Sequence, residues 1–412
     1  MTLPKFGRLL LIISIIFILA NYLPEFYWLK FDTPVSKPLV NYSPVLSTFL
    51  SGNYDGREFV WEDNAGNKYT RDEYEQFSPG ANFRQLLYDK NLPDTVNGFA
   101  MDFDSLRLHR IMYKITPRII NSWQIPLYPL FESASGRIKL SMPDDFFRID
   151  EKGIIFLNSG ENNVAVEKSK LFTDVMKKGN FSFPAKIIAG NPSPMKPFDE
   201  GYFILDSQDK LFHLKMVKGK PFFKYMNNPP EIKIKFILLQ ENNLLRFYGA
   251  VISSDNKIYS ILYDNYKMLP MPIDKFNFEK DRFVYMGDYL NKNLLVENDK
   301  VVTDYATDNN FKFIGKFSNE YYDGSKDAAI STANVLFPYT LSFVDANSGM
   351  IDSFFSFSDW RALWGILVSL AIALFILKKR KAIYGLNYLD IVIVAVSGIY
   401  GLIAIALIKN ID

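Results

Sequence analysis

The sequence predicts a mainly β extracytoplasmic domain, an irregular β-propeller-like or twisted-sheet assembly with a few inserted helices, joined to three transmembrane α-helices. Three observations carry this. Apolar residues concentrate at the two ends of the 412-residue chain. The long middle alternates β-branched and aromatic runs with Asp/Asn/Gly turn clusters, and cations flank the apolar segments on one side only. The expected division is 1–30 as an N-terminal signal anchor, 31–358 as the outer domain and 359–412 as a helical hairpin.

The first segment follows Lys5 and Arg8, runs uncharged from Leu9 to Ala20, and continues to Phe26, Tyr27 and Trp28. A secretory signal peptide carries a similar run, but Ile18 and Ala20 form a poor cleavage site. The apolar stretch also continues to the ~20 residues needed to cross a bilayer. An uncleaved anchor is therefore expected. The second segment spans Trp360 to Leu377 and ends on Lys378, Lys379, Arg380 and Lys381; the third runs from about Tyr388 to Ile408. Four adjacent cations favour the cytoplasm, as do Lys5 and Arg8, so the reading is a multi-pass protein of a bacterial inner membrane with residues 31–358 outside. The residues after Ile408 then also fall outside. Gly365, Ser369 and Ala373 recur every four positions, with Ser397 and Gly401 a shorter version; such faces pack a hairpin on itself or dock a separate membrane subunit. Asp390 is expected to stand alone at the cytoplasmic end of its span, reaching interfacial water.

In the middle region, Ile232, Ile234, Phe236 and Leu238 alternate with Lys233, Lys235 and Ile237, a period-two pattern. The clusters Asp206–Phe212, Ser253–Tyr259, Asp345–Ile351, Asp150–Ile155 and Asp63–Tyr69 read as hairpin turns, because Asp and Asn close turns and Gly accepts positive φ. Several neighbours recur at about 45 to 57 residues, near the ~40–50 of a four-stranded propeller blade. Helices are expected over Ala81–Lys90, about Asp104–Tyr113, and Val164–Lys178, the last capped by Gly179.

Composition narrows the chemistry. With 47 Lys and Arg against 45 Asp and Glu, net charge is only +2, which offers no field for nucleic acid. The absence of cysteine removes disulfides, thiolate metal sites and cysteine nucleophiles, and two histidines cannot build a multi-histidine centre. Neither G-x-S-x-G, a P-loop nor G-x-G-x-x-G occurs. Ser207/Lys210 and Ser254/Lys257 have a serine–lysine spacing, but in turns that leave the lysine solvated. His109 and His213 read as partly buried, hydrogen-bonded side chains. Asp102/Asp104 and Asp144/Asp145 read as capping or turn acids rather than a catalytic pair. Asp345, Asn347 and Gly349 suggest part of a calcium loop without its closing Glu. No catalytic, cofactor or metal residue is assigned, and no cofactor is expected.

The stretches Leu92–Gly98, Leu127–Arg137, Met142–Arg148, Phe183–Pro192 and Asp199–Tyr202 resemble a family of bacterial membrane proteins defined by a domain of unknown function. The resemblance covers most of the chain, the anchor included. It implies no activity; it implies an accessory role, since members of that family are often encoded beside components of ABC-type transporters. Within those stretches Ser135, Arg137, Asp144 and Asp145 mark a candidate groove. The reading is an integral membrane accessory or binding protein whose partners are the bilayer and a transporter membrane subunit. The alternative is a membrane-tethered hydrolase of envelope carbohydrate or peptide, which would need two convergent carboxylates or a serine beside a base.

Overall fold

The computed structural model describes residues 3–32, 37–54, 58–122, 125–137, 139–321, 324–345, 351–379 and 388–408. Arg380, Lys381, most of the Asp345–Ile351 turn and the residues after Ile408 lie outside them. In chain order the elements begin with α1 (Leu3–Phe31), β1 (Leu39–Ser43), β2 (Thr48–Tyr54), β3 (Phe59–Asp63), β4 (Lys68–Tyr69), α2 (Arg71–Phe77), α3 (Pro79–Tyr88), β5 (Thr95–Val96), β6 (Phe99–Ala100), α4 (Phe103–His109), β7 (Ile111–Ile115) and α5 (Pro117–Asn121). Next come β8 (Tyr128–Pro129), β9 (Asp145–Ile149), β10 (Ile154–Asn158), β11 (Asn163–Val164), α6 (Val166–Lys178), β12 (Ile187–Gly190), β13 (Tyr202–Leu205), β14 (Leu211–Val217), β15 (Lys220–Tyr225), β16 (Ile234–Leu239), β17 (Phe247–Ser253), β18 (Ile258–Leu262) and β19 (Met268–Pro270). The chain ends with β20 (Arg282–Gly287), β21 (Lys292–Glu297), β22 (Val301–Thr307), β23 (Phe313–Glu320), α7 (Asp327–Leu336), β24 (Tyr339–Asp345), β25 (Ile351–Phe357), α8 (Ala362–Lys379), α9 (Tyr388–Ser397) and α10 (Ile399–Leu407). Two compact units result: Met1–Val35, Ser122–Gln124 and Tyr322–Asp412 form a helical unit, and Ser36–Asn121 with Ile125–Tyr321 form a β unit.

The β unit is a series of small antiparallel sheets, β1–β4, β8–β11, β12–β15, β16–β19, and β20–β23 with β7 added beside β20; none closes into a barrel. Local sequence makes the hairpins. Asp206 Oδ1 accepts from the Gln208 and Lys210 amides while Asp209 sits at φ +64°. Asn256 does the same for the β17–β18 turn at φ +63°, and Gly66 for β3–β4 at φ +85°. The expected helices form as Pro79–Tyr88, Phe103–His109 and Val166–Lys178. The second ends early, because residues from Ile111 onward pair with β20 as a strand. Gly179 caps α6 with ordinary negative φ. A Cβ there would lie 2.8 Å from the Phe223 ring, so close packing requires the glycine, and Asn180 takes the left-handed position at φ +59°.

Sheets stack through alternate faces of their strands. Tyr202 and Ile204 of β13 face Phe147, Phe156 and Phe172, while Phe203 and Leu205 face Val251, Ile261 and Met268. Likewise Ala250 and Ile252 of β17 pack on Phe283, Leu294 and Val296 of the five-stranded sheet, whose other face buries Val284, Leu295, Val302 and Ala306 against Val40 and Phe49 of the first sheet. Strands buried on both faces read as continuous apolar runs. That is why period two was visible only in β16, which carries a bulge between Ile234 and Phe236.

The helical unit corrects three expectations. Two helices, α1 and α8, are long and apolar enough to cross a membrane among the described residues, not three. The third segment breaks at Gly398, which takes φ +55°, into α9 and α10 of 10 and 9 residues. At 1.5 Å per residue each is about 15 Å long, half of a ~30 Å hydrocarbon core. Asp390 at the start of α9 is not isolated: it is buried, and both its oxygens accept from the Arg8 guanidinium at 2.8 and 2.9 Å. Farther along α9, Val394 packs with Ile12, and Tyr400 just past the break packs with Ala20 and Phe337. The chain then returns: Ala404 and Ile405 rejoin Ile12, and the Ile408 carbonyl accepts from Arg8 at 3.2 Å. The segment is thus a tight hairpin with both ends beside Arg8. The Leu341–Ile351 hairpin, read from sequence as a propeller repeat, is a two-stranded sheet in this helical unit.

Candidate functional site

Most of the stretches that carry the family resemblance converge on one buried polar knot in the β unit. The Lys196 ammonium lies 2.6 Å from Asp199 Oδ1, 2.9 Å from Glu241 Oε1 and 2.6 Å from the Asn191 carbonyl, and 4.8 Å above the Phe131 ring. Ser133 Oγ donates to the other Asp199 oxygen at 2.6 Å, Asn191 donates to Glu241, and Tyr202 donates to the Pro129 carbonyl at 2.7 Å. Gly201 permits the close turn: it sits at φ +65°, and a Cβ would fall 2.1 Å from the Leu214 carbonyl. Burial pushes the Glu241 carboxyl up while Lys196 pulls it down. A cation held between two carboxylates, with its ring and carbonyl contacts satisfied, is a packing device.

His213 in this region is hydrogen-bonded, as the sequence suggested, but fully rather than partly buried, with Nδ1 against the Tyr266 hydroxyl at 3.0 Å and Nε2 on the Glu200 carbonyl at 2.6 Å. Burial lowers its pKa to about 3, so it is neutral. Glu200 instead pairs with Lys215 and accepts from Tyr263.

The candidate groove residues occupy two local settings. Ser135 Oγ accepts from the Arg137 amide at 3.3 Å, and the Arg137 side chain is exposed. Asp145 pairs with Lys168 of α6 at 2.7 Å, while the exposed Asp144 offers its carbonyl to Ser159. Among the described residues no hydrogen bond or ion pair joins the two settings. Of the small-residue face, Gly365 meets the Val335 carbonyl, where a Cβ would lie at 1.8 Å, Ser369 is buried, and Ala373 packs with Ile12 and Val394. Gly401 lies against Ser397 Oγ. This face is occupied within the chain.

A cavity that could take a ligand lies elsewhere, at the end of the core between β16–β19 and the five-stranded sheet, with a volume of about 370 Å³. Its walls are mixed: Ile111, Phe247, Leu262, Leu269, Tyr285 and Phe311 alternate with His109, Arg246, Lys267, Lys292, Asp264 and Asp288. Lys292 is buried, held 3.0 Å from Asn309 Oδ1 and 5.1 Å from the Phe311 ring centre. Burial and the nearby Arg246 lower its pKa to about 8. His109 Nδ1 lies 2.8 Å from the Ser105 carbonyl, and burial lowers its pKa. Asp288 is turned onto its own loop, accepting from the Leu290 and Asn291 amides at 2.7 and 3.0 Å; burial raises its pKa. Sequence reasoning named His109 alone of this set. The others come from separate turns and strands with no shared local signal.

A family described as Domain of unknown function (DUF4857) matches residues 39–307. The chain belongs to that family. The match begins on the first residue of β1 and ends on the last of β22, so it covers most of the β unit and most of the chain, as the resemblance implied, and the anchor helix lies outside the matched residues. No curated protein matches. Among solved structures the chain is similar to PorZ, a bacterial surface component of the type-IX secretion system of Porphyromonas gingivalis, at 11% identity and a TM-score of 0.23, over 69% of this chain and 27% of that one. A likeness that weak carries no argument.

Proposed function

We propose that this protein is a membrane-tethered binding or accessory protein whose β unit faces outward and captures a ligand or partner. The observation that carries the reading is the apolar surface of the helical unit. Only 17% and 22% of the most apolar stretches of α1 and α8 are buried, and Leu11, Phe17, Ile18, Leu367, Val368 and Phe375 stand exposed. A soluble protein buries such helices; a bilayer covers them. α1 and α8 run in opposite directions as spans, Arg8 and the Lys378–Lys379 end share the cytoplasmic level, and the α9–α10 hairpin enters and leaves on that same side as a re-entrant segment. Its backbone break at Gly398 is tolerable because it packs on Pro338 and Ile366 instead of lipid. In this reading the five meanders are irregular, propeller-like blades. A transporter subunit, as the natural partner, would dock on the exposed face of α8, since the small-residue face is filled.

Introduced thiols test this, because the chain has no cysteine. Met195→Cys, on an exposed loop, is expected to react with an impermeant maleimide from the outer side of the membrane, whereas Lys5→Cys and Ile408→Cys react only after permeabilisation. Labelling of Ile408→Cys together with Met195→Cys would restore a third span, and release of the protein by carbonate would end the membrane reading. Crosslinks from Leu367 or Phe375 to a transporter subunit would identify the partner; crosslinks confined to the chain would remove it.

A further inference from the structure

We propose that the cavity at the end of the β16–β19 core binds a small organic anion, an oxyanion head on a compact apolar body, with Arg246 and Lys292 taking the head. The volume suits such a molecule, near the lower end of the ~300–1,000 Å³ of ligand sites. Its apolar wall continues the aromatic core, with Phe247, Tyr285 and Phe311 shared between cavity and core.

The charges define the head group. Lys292 is only 6% exposed, yet among the described residues no carboxylate comes within the 4.0 Å of an ion pair; its ammonium has only the neutral oxygens of Asn309 and Asp308. Across the cavity the exposed Arg246 guanidinium has no hydrogen bond or ion pair among the described residues. Two cations brought close enough to repel, one of them desolvated, gain from an anion between them, and a bidentate oxyanion matches the guanidinium fork. Asp288 and Asp308 offset part of this charge from beyond ion-pair distance, and Asp288 Oδ1 is taken up by the Leu290 and Asn291 amides, which leaves the position between Arg246 and Lys292 to a ligand. Asp264 is exposed and hydrogen-bonds to the neighbouring Asn265. Lys267 adds a third cation to the lining. The contrast with Lys196 is direct: that buried lysine has its carboxylates built in, and this one faces a cavity.

The inference deepens the reading of the β unit as a binding domain, and its test is independent of the membrane side. The full chain, purified in an uncharged detergent, is titrated calorimetrically with phenyl phosphate, benzoate, inorganic phosphate and benzylammonium. Phenyl phosphate or benzoate is expected to bind one per chain, inorganic phosphate at least about tenfold more weakly, and benzylammonium not at all; the preferred head separates phosphate from carboxylate. Arg246→Gln, an exposed change that spares the core, and Lys292→Met are each expected to weaken the organic anion by about tenfold or more, the scale of a charged hydrogen bond. Lys257→Gln, in a distant turn and paired with Asp255, leaves binding unchanged. Equal binding of benzylammonium, retention of full affinity in Arg246→Gln, or no binding of either organic anion at millimolar concentration overturns the proposal. Failed binding with the thiol pattern intact removes the ligand class alone; a failed thiol pattern with binding intact removes the tether alone.

Discussion

Lys196 and Lys292 are both buried lysines in the β unit, and they differ in what was built around them. Lys196 lies between Asp199 and Glu241 with a backbone carbonyl and an aromatic face. Lys292 has the aromatic face and two neutral oxygens, but no carboxylate within ion-pair distance among the described residues. Desolvation disfavours both cations equally in kind; only at the first does the protein itself restore the balance. The lesson is that burial alone does not say whether a charge is structural. Its counter-charges do.

Substitution sharpens the comparison. Lys196→Met strands two buried carboxylates against each other and is expected to destabilise the β unit by about 3–5 kcal/mol, seen as a large drop in its denaturation midpoint. Lys292→Met removes a desolvated charge that has neutral oxygens but no carboxylate at ion-pair distance among the described residues, so it should leave stability unchanged or raise it, opposite in direction to Lys196→Met. Equal losses at the two sites would erase the distinction.

pH separates stability from binding at Lys292. Its folded pKa of about 8 lies below the ~10.4 of an unfolded lysine, so from pH 8 to 10.4 the unfolded chain binds more protons and stability rises with pH. Anion affinity runs the other way, full below pH 8 and falling as the ammonium is lost. The groups around it are His109, Arg246, Lys267, Asp264, Asp288, Asp308 and Tyr285. Of these Arg246 supplies the residual affinity that remains when Lys292 is neutral. Calorimetric titrations across pH 7 to about 10 should show this fall in wild type and lose it in Lys292→Met.

A smaller effect is expected at Asp304. It is fully buried on the same face of β22 as Val302 and Ala306, its carboxyl has no well-formed hydrogen bond among the described residues beyond a weak approach of the Leu294 amide, and burial raises its pKa well above the usual carboxylate range. Asp304→Val should stabilise the β unit by about 1–2 kcal/mol in a denaturant titration, whereas Asp304→Asn, which keeps an unpaired polar group, should not.

Legibility in the sequence followed the range of the interactions. Turns at Asp206, Ser253 and Asp63 were readable because each is closed by its own side chains within four residues. α6 was readable because one face alone is buried. β13 and β17 were not, since cores on both faces erase alternation. The third span was misread because one left-handed glycine in an apolar run leaves the hydropathy unchanged. Asp390 was misread because its partner is 382 positions away. The cavity was out of reach for the same reason: His109, Arg246, Lys267 and Lys292 share no spacing, and the stretches that resembled the family led to the Lys196 knot, which holds sheets together.

That 382-residue separation between Arg8 and Asp390 also sets a schedule. At the ~5–20 residues per second of protein synthesis, Arg8 emerges roughly 20–80 s before the acid that neutralises it. During that interval the whole β unit is made, while Arg8 waits for Asp390. The Arg8–Asp390 pair can therefore close only once the final hairpin has been made, and it ties that hairpin to the first helix.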